Sequence, residues 1–209
     1  MLNQLKEKVF IANQDLLDNS RHPFFWISVS SIHRESGNVV FIPDGGAISE
    51  SDMAIVDLNG NLVEGKDLPV RDAAIHLALY RQFPEITSIA HPYCRWATIF
   101  AQLELDIPTL GTVHADTFHG SIPVTAALPA EVLADPANPK IVQAIAEAFL
   151  RRNTSPKQIP AVLVSSHGAY TFGADAREAV SNAAVLEEAA FLAYHTMQMD
   201  PGIRSLSLG

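Results

Sequence analysis

Two short hairpins in immediate succession constrain this fold more than any other feature of the chain. The run FFWISVSSIHRESGNVVFI, residues 24–42, carries two stretches rich in β-branched and aromatic residues around a polar Glu-Ser-Gly-Asn turn, the pattern of an antiparallel strand pair. After Pro43-Asp44-Gly45-Gly46 the segment MAIVDLNGNLVEG repeats the device, with Asn59-Gly60 between AIVDL and NLVEG. An Asn-Gly pair supplies the positive φ angles that tight hairpin turns demand. Strands joined by turns this short run antiparallel, which argues against a doubly wound parallel sheet.

The remaining segments supply helices and further strands. Leu2, Leu5, Val9 and Leu16 recur at helical spacing and predict an opening amphipathic helix of about three to four turns that caps the core. Asp72 stands where a helix N-cap would, before AAIHLALYRQF, and Pro84 marks that helix's end. Residues 87–91 read as a short strand finishing at His91; RWATIFAQLEL reads as a helix and TLGTVHA as strand-like. A polar, aromatic loop through Asp116, Phe118 and His119 is expected to be exposed. Residues 138–152 and 174–195 read as helices, and between them PAVLVSSH is a buried strand running into His167-Gly168. The fold class these elements predict is α/β: a three-layer α/β/α sandwich with a central, mostly antiparallel sheet.

A length of 209 residues, 48% of them hydrophobic, suits one substantial core, so residues 1–209 are read as a single domain. The formal net charge of -9 and the lack of any Lys/Arg cluster argue against nucleic acid as a partner. MLNQLKEKVFIANQDLL mixes charges into its apolar positions, unlike a signal peptide or a membrane span, which predicts a cytoplasmic protein with no membrane partner. The single cysteine, Cys94, permits no internal disulfide and no Cys-x-x-Cys pair, so any metal must rely on histidines and carboxylates.

Three residues of metal-ligating type end predicted strands or open a helix: Asp72, His91 and His167. A sheet that brings the two strand ends together lets both imidazoles share one ion, as catalytic zinc sites do with three protein ligands and an open position. A histidine at a strand end is also a common hydrogen-bonded surface or core residue, and the spacing by itself does not separate the two readings.

More specific wording surrounds these residues. The segments HLALYRQFPEI, ATIFAQ, IPTLGTVHADTFHGSIP, QIPAVLVSSHGAYTFG and AVSNAAVLEEAA run in order along nearly the whole chain. Together they resemble the class II aldolase/adducin superfamily, and within it the L-ribulose-5-phosphate 4-epimerases. The resemblance implies a three-layer α/β/α fold, a homotetramer with active sites between subunits, and a divalent metal, commonly zinc, with manganese and iron as alternatives. It implies retro-aldol chemistry in which the metal stabilises an enediolate. An aldolase releases the fragments, whereas an epimerase turns the aldehyde and re-forms the bond, which requires an acid and a base on opposite faces. Carried over by residue, the metal histidines fall on His91 and His167, an acidic residue near the metal on Asp72, and the catalytic aspartate on Asp116.

The chain departs from the family pattern at defined places. Where the family has His-x-His, this sequence has His91-Pro92-Tyr93, so Asp72 is ranked first to complete a two-histidine, one-carboxylate set, with Cys94 and His114 as alternatives. A Trp-Gly-Asn-x-Ser strand becomes Trp26-Ile27-Ser28-Val29-Ser30, a Pro-Ser-Gly turn becomes Pro43-Asp44-Gly45, and a pair of serines becomes Val70-Arg71. Ser28, Asp44, Gly45 and Arg71 are the candidate substrate-binding residues, and the Arg71 guanidinium suits phosphate or carboxylate. The family's late catalytic tyrosine has no counterpart before Gly209. Three functions are therefore carried forward: an epimerase or aldolase of a small sugar phosphate, an aldolase or decarboxylase of a non-phosphorylated hydroxy-keto acid, and a non-catalytic relative.

Overall fold

Both early hairpins form around the turns that predicted them. In the computed structural model, β1 (Ser28–His33) pairs antiparallel with β2 (Asn38–Phe41), Ser30 opposite Phe41 and His33 opposite Asn38. Next, β3 (Ala54–Val56) pairs antiparallel with β4 (Leu62–Glu64). The Asp57 carboxylate ties that second turn by accepting from the amides of Asn59 and Asn61 at 2.8 and 2.9 Å, and Gly60 supplies a φ of 87°. The structure describes residues 2–19, 28–42, 49, 52–65 and 72–206. Asp44, Gly45 and Arg71, expected beside a substrate, lie outside the described residues, as do Trp26 and Ile27.

Five more helices and three more strands follow the hairpins: α2 (Ala73–Gln82), β5 (Ser88–His91), α3 (Arg95–Leu103), α4 (Thr112–Ala115), α5 (Ala130–Leu133), α6 (Pro139–Arg151), β6 (Ala161–Val164) and β7 (Gly168–Gly173). The opening helix α1 (Leu2–Asn19) and the closing helix α7 (Ala176–Met199) complete the set. The strands make one seven-stranded sheet in the order β4-β3-β2-β1-β5-β7-β6, and every neighbouring pair is antiparallel.

Apart from the exposed edge strand β4, the sheet is buried on both faces, and alternate residues sort between them. Val39, Phe41 and Ile89 pack with α2, α3 and α6 in the larger cluster, while Val40, Ile42 and Ala90 pack with Val9 and Ala12 of α1 and Ala179 of α7 in the smaller one. Layers of helix on each face are the three-layer α/β/α architecture expected from the sequence. Among the described residues, no helix is long and apolar enough to cross a membrane.

Two local expectations are corrected. TLGTVHA is not a strand: Ala115 and Asp116 donate backwards to the carbonyls of Gly111 and Thr112 at 3.1 and 2.8 Å, forming α4. The free edge beside β6 is taken instead by the following segment, where Leu163 donates to Pro123 at 2.8 Å and Thr125 to Leu163 at 2.9 Å. Tertiary pairing overrides the β propensity of Thr and Val, and that edge is covered. In the next loop Asp116 and His119 are exposed, but Phe118 is fully buried in the larger core.

Gly173 is fixed by close approach. A Cβ there would lie 2.4 Å from the Ala179 amide nitrogen and 2.8 Å from the Asp175 carbonyl oxygen, both backbone atoms of the turn into α7. Gly173→Ala is expected to lower the unfolding free energy by about 1–3 kcal/mol. Gly111→Ala, whose added carbon meets nothing within 4 Å, is expected to stay within about 0.5 kcal/mol. Denaturant titration of the two variants side by side checks the difference.

Candidate active site

The sheet topology carries four chemically useful side chains to one end. Ser28 begins β1 and is the register partner of His91 at the end of β5, so the two side chains share a face. On the other side of β5, Ala90 pairs with Thr171, which sets Tyr170 of β7 beside His91. The two rings stack with centroids 4.3 Å apart. His167, in the turn from β6 into β7, stacks on His91 with centroids 5.0 Å apart and lies 3.4 Å from the Tyr170 hydroxyl. Strand order alone thus converges the histidines that are 76 positions apart in sequence.

Asp72 arrives from the helix side. It occupies the N-cap position of α2, but its side chain makes no capping hydrogen bond. Its Oδ2 instead accepts from His91 Nδ1 at 2.7 Å and from the Ser28 hydroxyl at 3.1 Å. Burial works to raise the carboxyl's pKa, yet the His91 hydrogen bond, the nearby imidazoles and Ser28 outweigh it and hold Asp72 well below the usual carboxylate range. The carboxylate is therefore ionised at neutral pH and only accepts, so His91 Nδ1 carries its proton toward Asp72 and Nε2 is left as the nitrogen facing away.

These residues open into a cleft of about 330 Å³ that Asp72, His91, Tyr93, Thr98, His167 and Gly168 help to line. Gly168 keeps the imidazole uncovered, because a Cβ at that position would sit 3.6 Å from His91 Nε2. A carboxylate that orients one imidazole while the other nitrogen faces a cavity is the arrangement around metal-binding histidines. The donor chemistry therefore fits a divalent metal at two positions, His91 and His167. Asp72, ranked first as the third ligand, is engaged by His91 and Ser28, and among the described residues no group of three His, Cys, Asp or Glu side chains is placed to hold an ion.

The other candidates are placed apart from this cleft. Cys94 is buried, its thiol 3.8 Å from the Ala183 carbonyl, and burial pushes its pKa up. His114 is buried with Nε2 donating to the Gly120 carbonyl at 2.8 Å, and burial lowers its pKa. Asp116 is exposed at the end of α4 in a second cleft of about 670 Å³, with Glu85, Lys157 and Glu178 among its walls. Within one chain, then, Asp72, His91, His167 and Ser28 come together and Asp116 does not join them. Sequence reasoning missed His76, Tyr80, Ser30 and Tyr170, which stand behind the cleft and are all fully or almost fully buried.

Comparison with known proteins gives the family and the fold. The sequence profile of the family described as the class II aldolase and adducin N-terminal domain matches residues 14–194. The L-ribulose-5-phosphate 4-epimerase UlaF of Salmonella paratyphi A is 38% identical over 208 residues, covering 98% of this chain and 90% of that protein. UlaF of Salmonella typhi matches to the same extent. Among solved structures, an L-fuculose 1-phosphate aldolase superposes with a TM-score of 0.79 at 22% identity, over 98% of this chain and 91% of its own. The L-fuculose-1-phosphate aldolase of Thermus thermophilus gives 0.68 at 17%, over 97% and 98%. At such identities the two aldolase structures speak for the fold alone.

Proposed function

Because the chain belongs to the class II aldolase and adducin N-terminal domain family, we propose that it is a sugar-phosphate epimerase or aldolase of the L-ribulose-5-phosphate 4-epimerase type. The observation that carries the reading is the Asp72–His91 pair set against His167 at the mouth of one cleft. The reaction is a reversible aldol cleavage: the hydroxyl β to the sugar's carbonyl loses its proton, the carbon-carbon bond between them breaks, and an aldehyde and an enediolate result. Release of the fragments is the aldolase outcome. Rotation of the aldehyde before the bond re-forms inverts one carbon and is the epimerase outcome.

In this reading His91 and His167 hold a divalent metal, zinc first among the candidates. When bound, the metal supplies Lewis-acid charge against the negative charge that develops on the sugar's oxygens. Asp72 keeps the His91 proton on Nδ1 and so directs Nε2 into the cleft. Tyr93, Leu133 and Pro136 are among the residues that line the cleft. Arg71 is the proposed contact of the substrate's anionic group, a guanidinium suiting phosphate or carboxylate, with Asp44 and Gly45 carried as the further candidates for substrate binding. A non-phosphorylated hydroxy-keto acid is the competing substrate class, and assaying both kinds of substrate separates them. A cytoplasmic location suits a phosphorylated sugar.

Asp116 enters as the proton-transfer residue of a neighbouring copy, because in its own chain it faces a different cleft from His91. A homotetramer with sites shared between subunits supplies that geometry. The test is complementation. Asp116→Asn alone is expected to lower turnover about 10²–10⁴-fold, and His91→Ala alone to be nearly inactive. After the two proteins exchange subunits, hybrid sites with both native residues are expected to restore measurable activity. Failure of recovery with proven subunit exchange contradicts the shared site.

A further inference from the structure

We propose that Tyr80, Ser30, His76 and Ser28 form a buried, one-directional hydrogen-bond chain that ends on Asp72 and holds its carboxylate against His91, making His76 a positioning residue for a cleft it never reaches. The links are continuous. Tyr80 Oη lies 2.9 Å from Ser30 Oγ, Ser30 Oγ 2.8 Å from His76 Nδ1, His76 Nε2 3.2 Å from Ser28 Oγ, and Ser28 Oγ 3.1 Å from Asp72 Oδ2. Ser30 and His76 have no exposed surface, Tyr80 has 1% and Ser28 4%, so no solvent proton can substitute for a missing partner.

The placement follows from two periodicities. Asp72, His76 and Tyr80 are spaced i, i+4, i+8 along α2 and so lie on one helix stripe. Ser28 and Ser30 are spaced i, i+2 on β1 and so face the same way. Packing that stripe over that strand face interleaves the five polar groups. His76 is then seated between the Phe41 and Tyr170 rings at 5.8 and 6.0 Å, which fixes the plane of its imidazole.

Direction follows from proton counting. Ser28 donates its single hydroxyl proton to Asp72 Oδ2 at 3.1 Å. At its other contact the Ser28 oxygen must accept, and His76 Nε2 must carry hydrogen. Burial lowers the His76 pKa to about 3, and a neutral imidazole has only one N–H, which leaves Nδ1 as an acceptor for the Ser30 hydroxyl. Ser30's oxygen in turn accepts from the Tyr80 hydroxyl, whose proton also faces the Ser30 carbonyl at 2.9 Å. The acceptor oxygen of Asp72 thus orders the protons of Ser28, His76 and Ser30 behind it, and the same oxygen accepts from His91 Nδ1. The catalytic consequence rests on the function proposed above; the proton assignment does not.

Long-range ¹H–¹⁵N spectra of histidine-labelled protein at neutral pH, without substrate, test the assignment. The expected result is His76 as the Nε2–H tautomer and His91 as the Nδ1–H tautomer. Ser28→Ala removes the oxygen that accepts from His76 Nε2 and is expected to turn the His76 signal into a mixture of tautomers, whereas Ser28→Thr, which keeps the hydroxyl, retains one form. With a sugar phosphate turned over, Ser28→Ala is expected to lose about 10–100-fold in kcat with KM little changed, and Ser28→Thr to recover most of it. A wild-type His76 protonated on Nδ1, or an unchanged His76 tautomer in folded Ser28→Ala, overturns the proposal. Because the spectra need no turnover, inactivity on every sugar phosphate would count against the proposed function and leave this result standing.

Discussion

His91→Ala is expected to cut turnover about a thousandfold, since the charge stabilisation lost with a metal is worth several kcal/mol, while the protein stays folded. The side chain sits at the end of β5 with 13% of its surface exposed, facing the cleft rather than filling either hydrophobic cluster. What the substitution removes is specific: the partner of Asp72 at 2.7 Å, the ring stacked on Tyr170 and on His167, and the nitrogen directed into the cavity. Asp72 keeps the Ser28 hydroxyl, so the stability cost of the lost hydrogen bond is expected to be about 1–3 kcal/mol. Bound divalent metal, measured per chain on protein purified without an affinity tag, is expected to fall with turnover. A thermal melt in the same buffer separates loss of function from loss of fold. Full activity in His91→Ala would remove this cleft from consideration.

The second large effect is acid sensitivity centred on His76. Its pKa is lowered by burial to about 3 in the folded protein, against an ordinary value near 6.5. Between those values the unfolded chain binds a proton that the folded chain refuses. The His76 contribution to stability is thus fully present above about pH 6.5 and is lost as pH falls toward about 3, up to about 5 kcal/mol in all. Asp72, also depressed, acts in the same direction but lower, keeping its contribution above about pH 4 and losing it as pH falls through its folded value. His114, whose pKa is lowered by burial, adds to the same slope, so the informative comparison is with His76→Gln, which cannot titrate. Urea midpoints at pH 7, 6 and 5 should fall more steeply for the native protein than for His76→Gln. Parallel lines would show that His76 does not carry the acid sensitivity.

The sequence displayed its fold where local chemistry and tertiary context agree. Asn59-Gly60 and the turn before Asn38 needed only their own residues to specify hairpins, and 138–152 announced α6 through its periodicity, to which the structure adds a cap, the Asn138 side chain accepting from the Lys140 amide at 3.2 Å. TLGTVHA misled because β-branched composition says nothing about who occupies the neighbouring edge, and there the edge of β6 went to Pro123 and Thr125. The strand β7 escaped notice because its residues follow His167-Gly168 without a separating turn signal of the usual kind; the turn ends at His167 and Gly168 already opens the strand, paired with Val164.

The site divides in the same way. His91 and His167 were legible as strand-ending imidazoles, and the sheet order does bring them together. Asp72 was legible by position but not by partner: a residue that reads as an N-cap leaves the helix uncapped and turns to His91 and Ser28. His76 was hidden because a histidine on an apolar helix face reads as ordinary core. Its neighbours Asp72 and Tyr80 at four-residue spacing, opposite serines at two-residue spacing, were the signal, and it becomes meaningful only once α2 is known to pack over β1.

The most direct test of the central claim is a product analysis with metal-reconstituted protein offered L-ribulose 5-phosphate and L-fuculose 1-phosphate, beside hydroxy-keto acids, with chromatography resolving epimers and cleavage fragments. The account predicts a C4 epimer or aldol fragments from a sugar phosphate, dependent on divalent metal and lost in both His91→Ala and His167→Ala. Folded, metal-reconstituted protein that leaves every sugar phosphate unchanged would contradict it.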